Sequence, residues 1–336
     1  MSKFGKVTIQ DVSQRARVSA TTVSHALNGR GRVGAETRER IIKVAEEMGY
    51  RANPVARALK TGRAMTLMAE LPQTAEESGL DSAFLRDVLV GAAESAVESG
   101  YVLAITGRSH AGTHPLSPLD GALIVDPVAD DPLIETAAKL GLPLVTVSRL
   151  PAEAGLKVPA IISDYGAGMR EILDHLESQH YRRPVLLSTR RGFDFAVTSA
   201  ESFKEWMAEK GREPKIRYVS GAPSVSNGHT AMLALLAQRH PPDAVIATTE
   251  PLAMGAYQAV QETDRGMPEE IGLVAVVDSE RLKTAAVPVT ALDLFPTDIG
   301  RRAVALLVEQ IESEKPHSVE SVELPTQLNL RASTTR

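Results

Sequence analysis

The sequence predicts a small all-α unit at the N-terminus, followed by an α/β body of two doubly wound parallel-sheet lobes. Apolar residues recur at helical spacing in three short segments between Thr8 and Met48. From about Arg63 the texture changes to apolar runs alternating with amphipathic helices, and repeated β-α alternation implies parallel sheets with covered faces. Charge divides at the same place. Residues 1–63 carry 13 Lys and Arg against 5 Asp and Glu, a net of +8, while the remainder carries a net of −13.

Composition narrows the class. At 336 residues, 43% hydrophobic and 24% charged, the chain has material for two or three folding units with ample core. It has no cysteine, so neither a disulfide framework nor a Cys-based metal site is available. His175 and His180 stand five apart on or beside a helix and read as surface or packing residues, not as metal ligands. There is no Gly-rich phosphate loop and no G-x-S-x-G motif, so neither an enzyme nor a bound cofactor is expected. No apolar run reaches about 18 residues and MSKFGKVTIQ is no apolar signal, so cytoplasmic residence without a membrane partner is expected.

The first helix begins at Thr8, a good N-cap, with Ile9, Val12 and Ala16 on one face. Ser19 caps a second helix from Ala20 to Leu27. Val23, Ala26 and Leu27 face inward there, and Thr21, Thr22, Ser24, His25 and Asn28 face out. A third helix is expected from Ala35 to Met48, with Gly49 as its stop. Two helices joined by a tight turn, the second with a polar outer face, follow the helix-turn-helix plan that lays the second helix in the DNA major groove. The basic charge of this segment suits phosphates. A helical bundle with no DNA role is the plain alternative.

Asn53-Pro54 opens the next element, since Asn caps and Pro fits the first helical position. A helix over 53–60 is too short to be stable alone in water.

These residues resemble the headpiece of the lactose-repressor (LacI/GalR) family. Its pattern runs T-I-x-D-V-A, V-S-x-x-T-V-S-R-x-L-N, T-R-x-R-I and G-Y-x-P-N-x-x-A-R-x-L. This chain shows TIQDVS, VSATTVSHALN, ETRERI and GYRANPVARALK at matching spacing. The resemblance places Ala20, Thr21 and His25 where the family reads base edges, and Thr8, Ser19, Ser24 and Asn28 where it holds phosphates. His25 is the longest polar side chain among the readers. The resemblance also implies a hinge helix that forms on operator DNA, pairs with its dimer mate in the minor groove and wedges a leucine into the central base step. Asn53 opens that helix, Leu59 matches the wedge, and Ala56 and Arg57 match its neighbours. Two positions depart from the pattern: Arg17 replaces a turn glycine and Gly34 replaces a phosphate-binding serine.

In the body, strands are expected at 64–71, 101–106, 121–125, 142–147, 159–163, 184–188, 243–247, 272–277 and 288–294. Helices are expected at 83–99, 131–140, 166–179, 200–210, 227–239, 251–262 and 298–312. DYGAGMREILDHL (164–176) and PVTALDLFPTDIGRRAVALL (288–307) resemble motifs of the same family's periplasmic-binding-protein-like core. The implied division is a headpiece over 1–52, a hinge helix and linker over 53–62, and an effector-binding and dimerisation core over 63–336. Lobe 1 would span about 63–160 plus 291–319, and lobe 2 about 161–290 plus 320–330. Only GRSHAGTHPLSPL separates the second strand from Asp120-Gly121, where the family usually has a helix of about a dozen residues. Two prolines and two glycines make a full helix there improbable.

Such a core binds a small molecule between the lobes, at the C-terminal ends of its strands. The family's usual sugar grips, an Arg, an Asn-Asp pair and an Asp, fall here on Ser199, Thr249-Glu250 and Val277, with Asp278 next. Most of those grips are therefore absent. Arg149, Asp164, Arg190, Arg191 and Glu250 are further polar candidates at strand ends, and Phe84, Phe193 and Phe195 offer stacking faces. The arginines point to a sugar derivative or an anionic metabolite as effector. The expected function is a homodimeric DNA-binding transcription regulator, most often a repressor in this family, acting on a pseudo-palindromic operator. The alternatives are a cytoplasmic solute-binding protein with the same core, or a regulator that has lost its small ligand.

Overall fold

The computed structural model describes residues 7–27, 33–50, 63–72, 82–107, 119–189, 192–263, 265–313 and 320–336. The chain divides into two compact units, Met1–Ala64 and Met65–Arg336. The hinge expected over 53–60, with Asn53, Ala56, Arg57 and Leu59, lies outside the described residues. So do Asn28, Arg190, Arg191 and the segment 108–118.

The first unit contains α1 (Ile9–Ala16), α2 (Ala20–Leu27) and α3 (Ala35–Glu47). Thr8 and Asp11 close a capping box at the start of α1. The Asp11 N–H donates to Thr8 Oγ1 at 3.3 Å and the Thr8 N–H donates to Asp11 Oδ2 at 2.7 Å. At the start of α2, Ser19 Oγ accepts the Thr22 N–H at 3.0 Å. Gly34 has no side chain with which to cap α3. Past its end, Gly49 adopts φ +64° and the Tyr50 N–H returns to the Ala45 carbonyl at 2.9 Å, the expected glycine stop. Val12, Ala16, Val23, Ala26, Ile41 and Ala45 bury together as the core of this unit.

The second unit alternates strand and helix. Its elements are β1 (Thr66–Leu71), α4 (Ala83–Glu98), β2 (Val102–Gly107), β3 (Gly121–Val125), α5 (Pro132–Leu140), β4 (Leu144–Val147), β5 (Ala160–Ser163), α6 (Tyr165–Ser178), β6 (Pro184–Thr189) and α7 (Asp194–Glu209). There follow β7 (Lys215–Val219), α8 (Val225–Leu236), β8 (Ala244–Ala247), α9 (Glu250–Gln261), β9 (Gly272–Ala275), α10 (Glu280–Lys283), β10 (Thr290–Asp293), α11 (Pro296–Glu312), β11 (Val322–Leu324) and β12 (Gln327–Asn329). One sheet has the order β11-β5-β4-β3-β1-β2 and the other β12-β10-β9-β8-β6-β7. Pairing is parallel in both except for antiparallel β12 on β10. In each lobe the order reverses beside the first strand, between β1 and β3 and between β6 and β8. That switch point opens a crevice at the carboxyl ends of the strands.

Strand pairing moves the expected lobe edges. β5 stays in the first sheet through Ser163, β10 stays in the second through Asp293, and β11 pairs with β5 in the first sheet. The sheets thus run three residues past the approximate edges expected near 160 and 290, and 320–330 contributes one strand to each sheet. An apolar run such as PAIIS is a single strand and cannot be divided between sheets. The short β7, β11 and β12 are absent from the expected elements, because KIRYV, VEL and QLN mix polar with apolar residues and form no apolar run. Helix α7 starts at Asp194, six residues before its expected start, because Phe193 caps it without a side-chain bond and leaves no start signal in the sequence.

Paired glycines let two helix pairs cross in backbone contact. A Cβ on Gly300 of α11 would lie 1.9 Å from the Val88 carbonyl oxygen of α4, and one on Gly91 of α4 would lie 2.0 Å from that of Thr297. Gly255 of α9 and Gly228 of α8 meet Val225 and Leu252 carbonyls in the same way, at 2.1 and 2.6 Å.

Candidate nucleic-acid interface and inter-lobe cleft

In the first unit Thr8, Ser19 and Thr21 are exposed, and Ala20, Ser24 and His25 are half-buried. Val23 and Ala26 anchor α2 inward, so its remaining face carries the short hydroxyls and His25. The hydroxyls of Thr8 and Ser19 already serve as helix caps. Arg17, at the turn between α1 and α2, has φ 54° and ψ 45°. The left-handed conformation that a glycine would adopt freely is thus held here by arginine.

In the second unit, residues following the strands of both sheets meet. β3 runs into Asp126 at φ 48° and β4 into Ser148 at φ 76°, and Ser148 Oγ donates to Asp126 Oδ1 at 3.0 Å. Two adjacent non-glycine residues of positive φ store strain at a place where loops carry function. Tyr165, buried at the start of α6, lies close to the carboxylates of Asp126 in one lobe and Asp194 in the other. Its burial first, and those two carboxylates next, push its hydroxyl above the ordinary tyrosine range, so it stays protonated.

Arg149 is not free to hold an anion. Its guanidinium reaches Asp194 Oδ1 at 3.5 Å across the lobes and Glu323 Oε1 at 3.2 Å, and its N–H donates to Asp194 Oδ2 at 3.3 Å. Asp164 caps α6, Oδ1 accepting the Ala167 N–H at 2.8 Å. Phe195 stacks on buried Phe193 with ring centroids 5.6 Å apart and tilts against Tyr165 at 6.5 Å. Phe84 and Val277 are half-buried and pack against the large apolar cluster that spans both lobes.

Ser199 is fully buried, and its Oγ has no hydrogen-bond partner among the described residues; the same holds for Thr249 Oγ1. An unmet buried hydroxyl costs roughly 1–3 kcal/mol, so such groups commonly await a ligand or water. Glu250, in the first turn of α9, is 2% exposed. Its Oε2 accepts the Ala83 N–H of α4 at 3.5 Å, and Oε1 lies 3.4 Å from the Arg281 guanidinium. Asp278 is turned away to Arg331, at 2.8 and 2.5 Å, and to Asn329 Nδ2 at 2.9 Å.

The structure therefore brings Arg149 and Phe195 to one wall group and Glu250 to another, and gives Asp164 a capping role. Sequence reasoning missed Asp126, Ser148, Tyr165, Asp194 and Arg281. Asp126 was accessible as the polar residue closing the apolar run GALIV, but nothing in the sequence joins Arg281 to Glu250.

Comparison with known proteins agrees with this architecture. Residues 8–53 match the profile described as bacterial regulatory proteins, lacI family, and residues 173–334 match a periplasmic binding protein-like domain. The chain is 29% identical to the HTH-type transcriptional regulator CelR of Thermobifida fusca, over 99% of this chain and 100% of that one. It is 25% identical to catabolite control protein A of Priestia megaterium, over 98% and 99% of the two chains. Among solved structures, the CelR–cellobiose complex has a TM-score of 0.72 at 24% identity, covering 98% of this chain and 100% of that chain. The lac repressor dimer bound to operator and the anti-inducer ONPF has a TM-score of 0.77 at 20% identity, with the same coverage. The chain thus carries a lacI-family DNA-binding segment at residues 8–53 and a periplasmic binding protein-like domain at residues 173–334, the pairing its transcription-regulator relatives share.

Proposed function

We propose that this protein is a homodimeric, sequence-specific transcription regulator, in this family most often a repressor, whose operator affinity is set by a small molecule bound between its lobes. The observation that carries the reading is the pairing of a capped helix-turn-helix unit, matching the family profile, with a two-lobed core whose strand ends converge. Thr8, Ser19 and Ser24 are proposed to hold phosphates, and Ala20, Thr21 and His25 to meet base edges. Asn28, Asn53, Ala56, Arg57 and Leu59 complete that interface on the strength of the family resemblance alone. Copies are proposed to meet on the face where Val90 and Val97 of α4 and Val102 and Ile105 of edge strand β2 stand exposed. A cytoplasmic location goes with this role; no helix among the described residues is long and apolar enough to cross a membrane.

For the effector, the commitment of Arg149 to two carboxylates weakens the case for an anion. Aromatic faces, carboxylates and unmet hydroxyls favour a hydroxyl-rich ligand, and the relative solved with cellobiose makes disaccharides the first class to screen. The test is a thermal-shift screen of sugars, sugar phosphates and nucleobases, followed by operator binding with each hit. A ligand that stabilises the core and changes operator affinity at least fivefold supports the reading. Stabilisation by sugar phosphates alone would restore the anionic effector, and no hit in any class would favour a regulator without a small ligand.

A further inference from the structure

We infer that Glu250 is a latch between the lobes: its buried carboxylate fastens α9 of the second lobe to the first turn of α4 in the first, and so sets the lobe geometry that an effector has to change. The first N–H groups of a helix have no partner within it. In α4, Ser82 Oγ accepts the Leu85 N–H at 3.4 Å, which leaves the Ala83 N–H to Glu250. The positive end of this 16-residue helix also favours a carboxylate there.

The two ties between the lobes differ in kind. The guanidinium of Arg149 is 45% exposed, so its bond to Asp194 is weakened by water and salt. Glu250 is shielded from both. Arg281 of the second lobe stays on Oε1, but the Ala83 N–H on Oε2 is lost when α9 leaves α4, and a polar group that replaces it offsets that loss. A ligand hydroxyl is such a replacement, and at 3.5 Å the existing bond is long enough to be exchanged. The neighbouring Thr249 hydroxyl, without a partner among the described residues, offers the same ligand a second hydrogen bond. Because α4 and α11 touch through Gly91 and Gly300, movement at Ala83 carries α11 with it, and α11 directly follows β10, the last strand before the chain leaves the second lobe. Glu250 is thus a positioning residue for the response as well as a wall of the cleft. This rests on the regulator reading only for its consequence; the latch itself concerns the lobes alone.

The chain has no cysteine, so one label site can be placed on each lobe at exposed Leu140→Cys of α5 and Leu233→Cys of α8. In full-length protein diluted with unlabelled chain, pulsed dipolar spectroscopy reads the distance between lobes, and amide exchange reads Ala83. Glu250→Ala is expected to broaden or lengthen the distance distribution and to speed Ala83 exchange at least tenfold. Glu250→Gln, which keeps an acceptor, should stay within about threefold of wild type. Ala83→Pro removes the donor without touching Glu250, and proline suits the first position of a helix whose N-cap is already extended, at φ −70° and ψ 113°. It should reproduce the Glu250→Ala distances with the fold intact. Unchanged distances in Ala83→Pro, or unchanged exchange in Glu250→Ala, would overturn the latch. Neither readout involves DNA, so failure of the latch and failure of operator recognition are separately visible.

Discussion

Arg17 shows how one residue trades local strain against charge. A non-glycine residue at φ 54° costs about 1–3 kcal/mol, while glycine there adds roughly 0.4–1 kcal/mol of unfolded-state entropy to be lost. Arg17→Gly is therefore expected to stabilise the headpiece by about 1 kcal/mol, read from thermal unfolding of the headpiece transition; a lower midpoint would mean that the arginine makes a compensating interaction. His25 offers the longest polar reach on the outer face of α2. His25→Ala should relax preference at one or two base positions per half-site, at about 1–3 kcal/mol for each base no longer read. If mutant and wild type select the same sites, His25 is not a reader. Asp278 belongs to stability. Burial pushes its carboxyl up, but the Arg331 and Asn329 bonds outweigh this and hold it below the ordinary aspartate range. Its contribution is therefore complete above the ordinary pKa and is lost as pH falls through the lowered one. Arg331→Met should cost roughly 3 kcal/mol in urea unfolding at neutral pH, and less in acid, because it leaves Asp278 charged and unpaired.

Elements are fixed by caps and crossings. Thr8→Ala removes the capping box of α1 and should cost the headpiece about 1 kcal/mol. Gly300→Ala drives a methyl group to 1.9 Å from the Val88 carbonyl oxygen, backbone that moves only with the whole helix. A loss of about 3 kcal/mol, or failure to fold, is expected, and a neutral result would mean that α4 and α11 separate at little cost. At this scale much was legible. The helical period of 9–27, the Gly49 stop and the apolar runs of the inner strands all follow from local chemistry. What escaped were elements whose reason lies elsewhere in the chain: edge strands β7, β11 and β12 with mixed polarity, and an α7 start without a capping side chain. The cleft was legible as a location but not as a set of bonded side chains. Tyr165, Asp126 and Asp194 come from three different strand ends, and Arg149 read as a ligand group because its two carboxylate partners lie 45 and 174 residues away.

For the whole molecule, charge and cleft make separate demands. The family resemblance puts Ser199, Thr249 and Val277 where sugar-gripping side chains are usual, so free glucose, galactose or ribose should bind at millimolar strength or not at all. Calorimetry returning micromolar affinity for any of them would contradict that. The basic first unit and acidic second unit imply a DNA interface dominated by phosphates, and hence one that weakens steeply with salt. The most direct test is selection from random double-stranded DNA by the full-length protein, followed by affinity for the selected site across a salt series. A pseudo-palindrome of two half-sites is expected, with affinity falling linearly in log salt and specific binding on the order of a thousandfold or more above random DNA. Recovery of no common sequence, or of sites without two-fold symmetry, would contradict it.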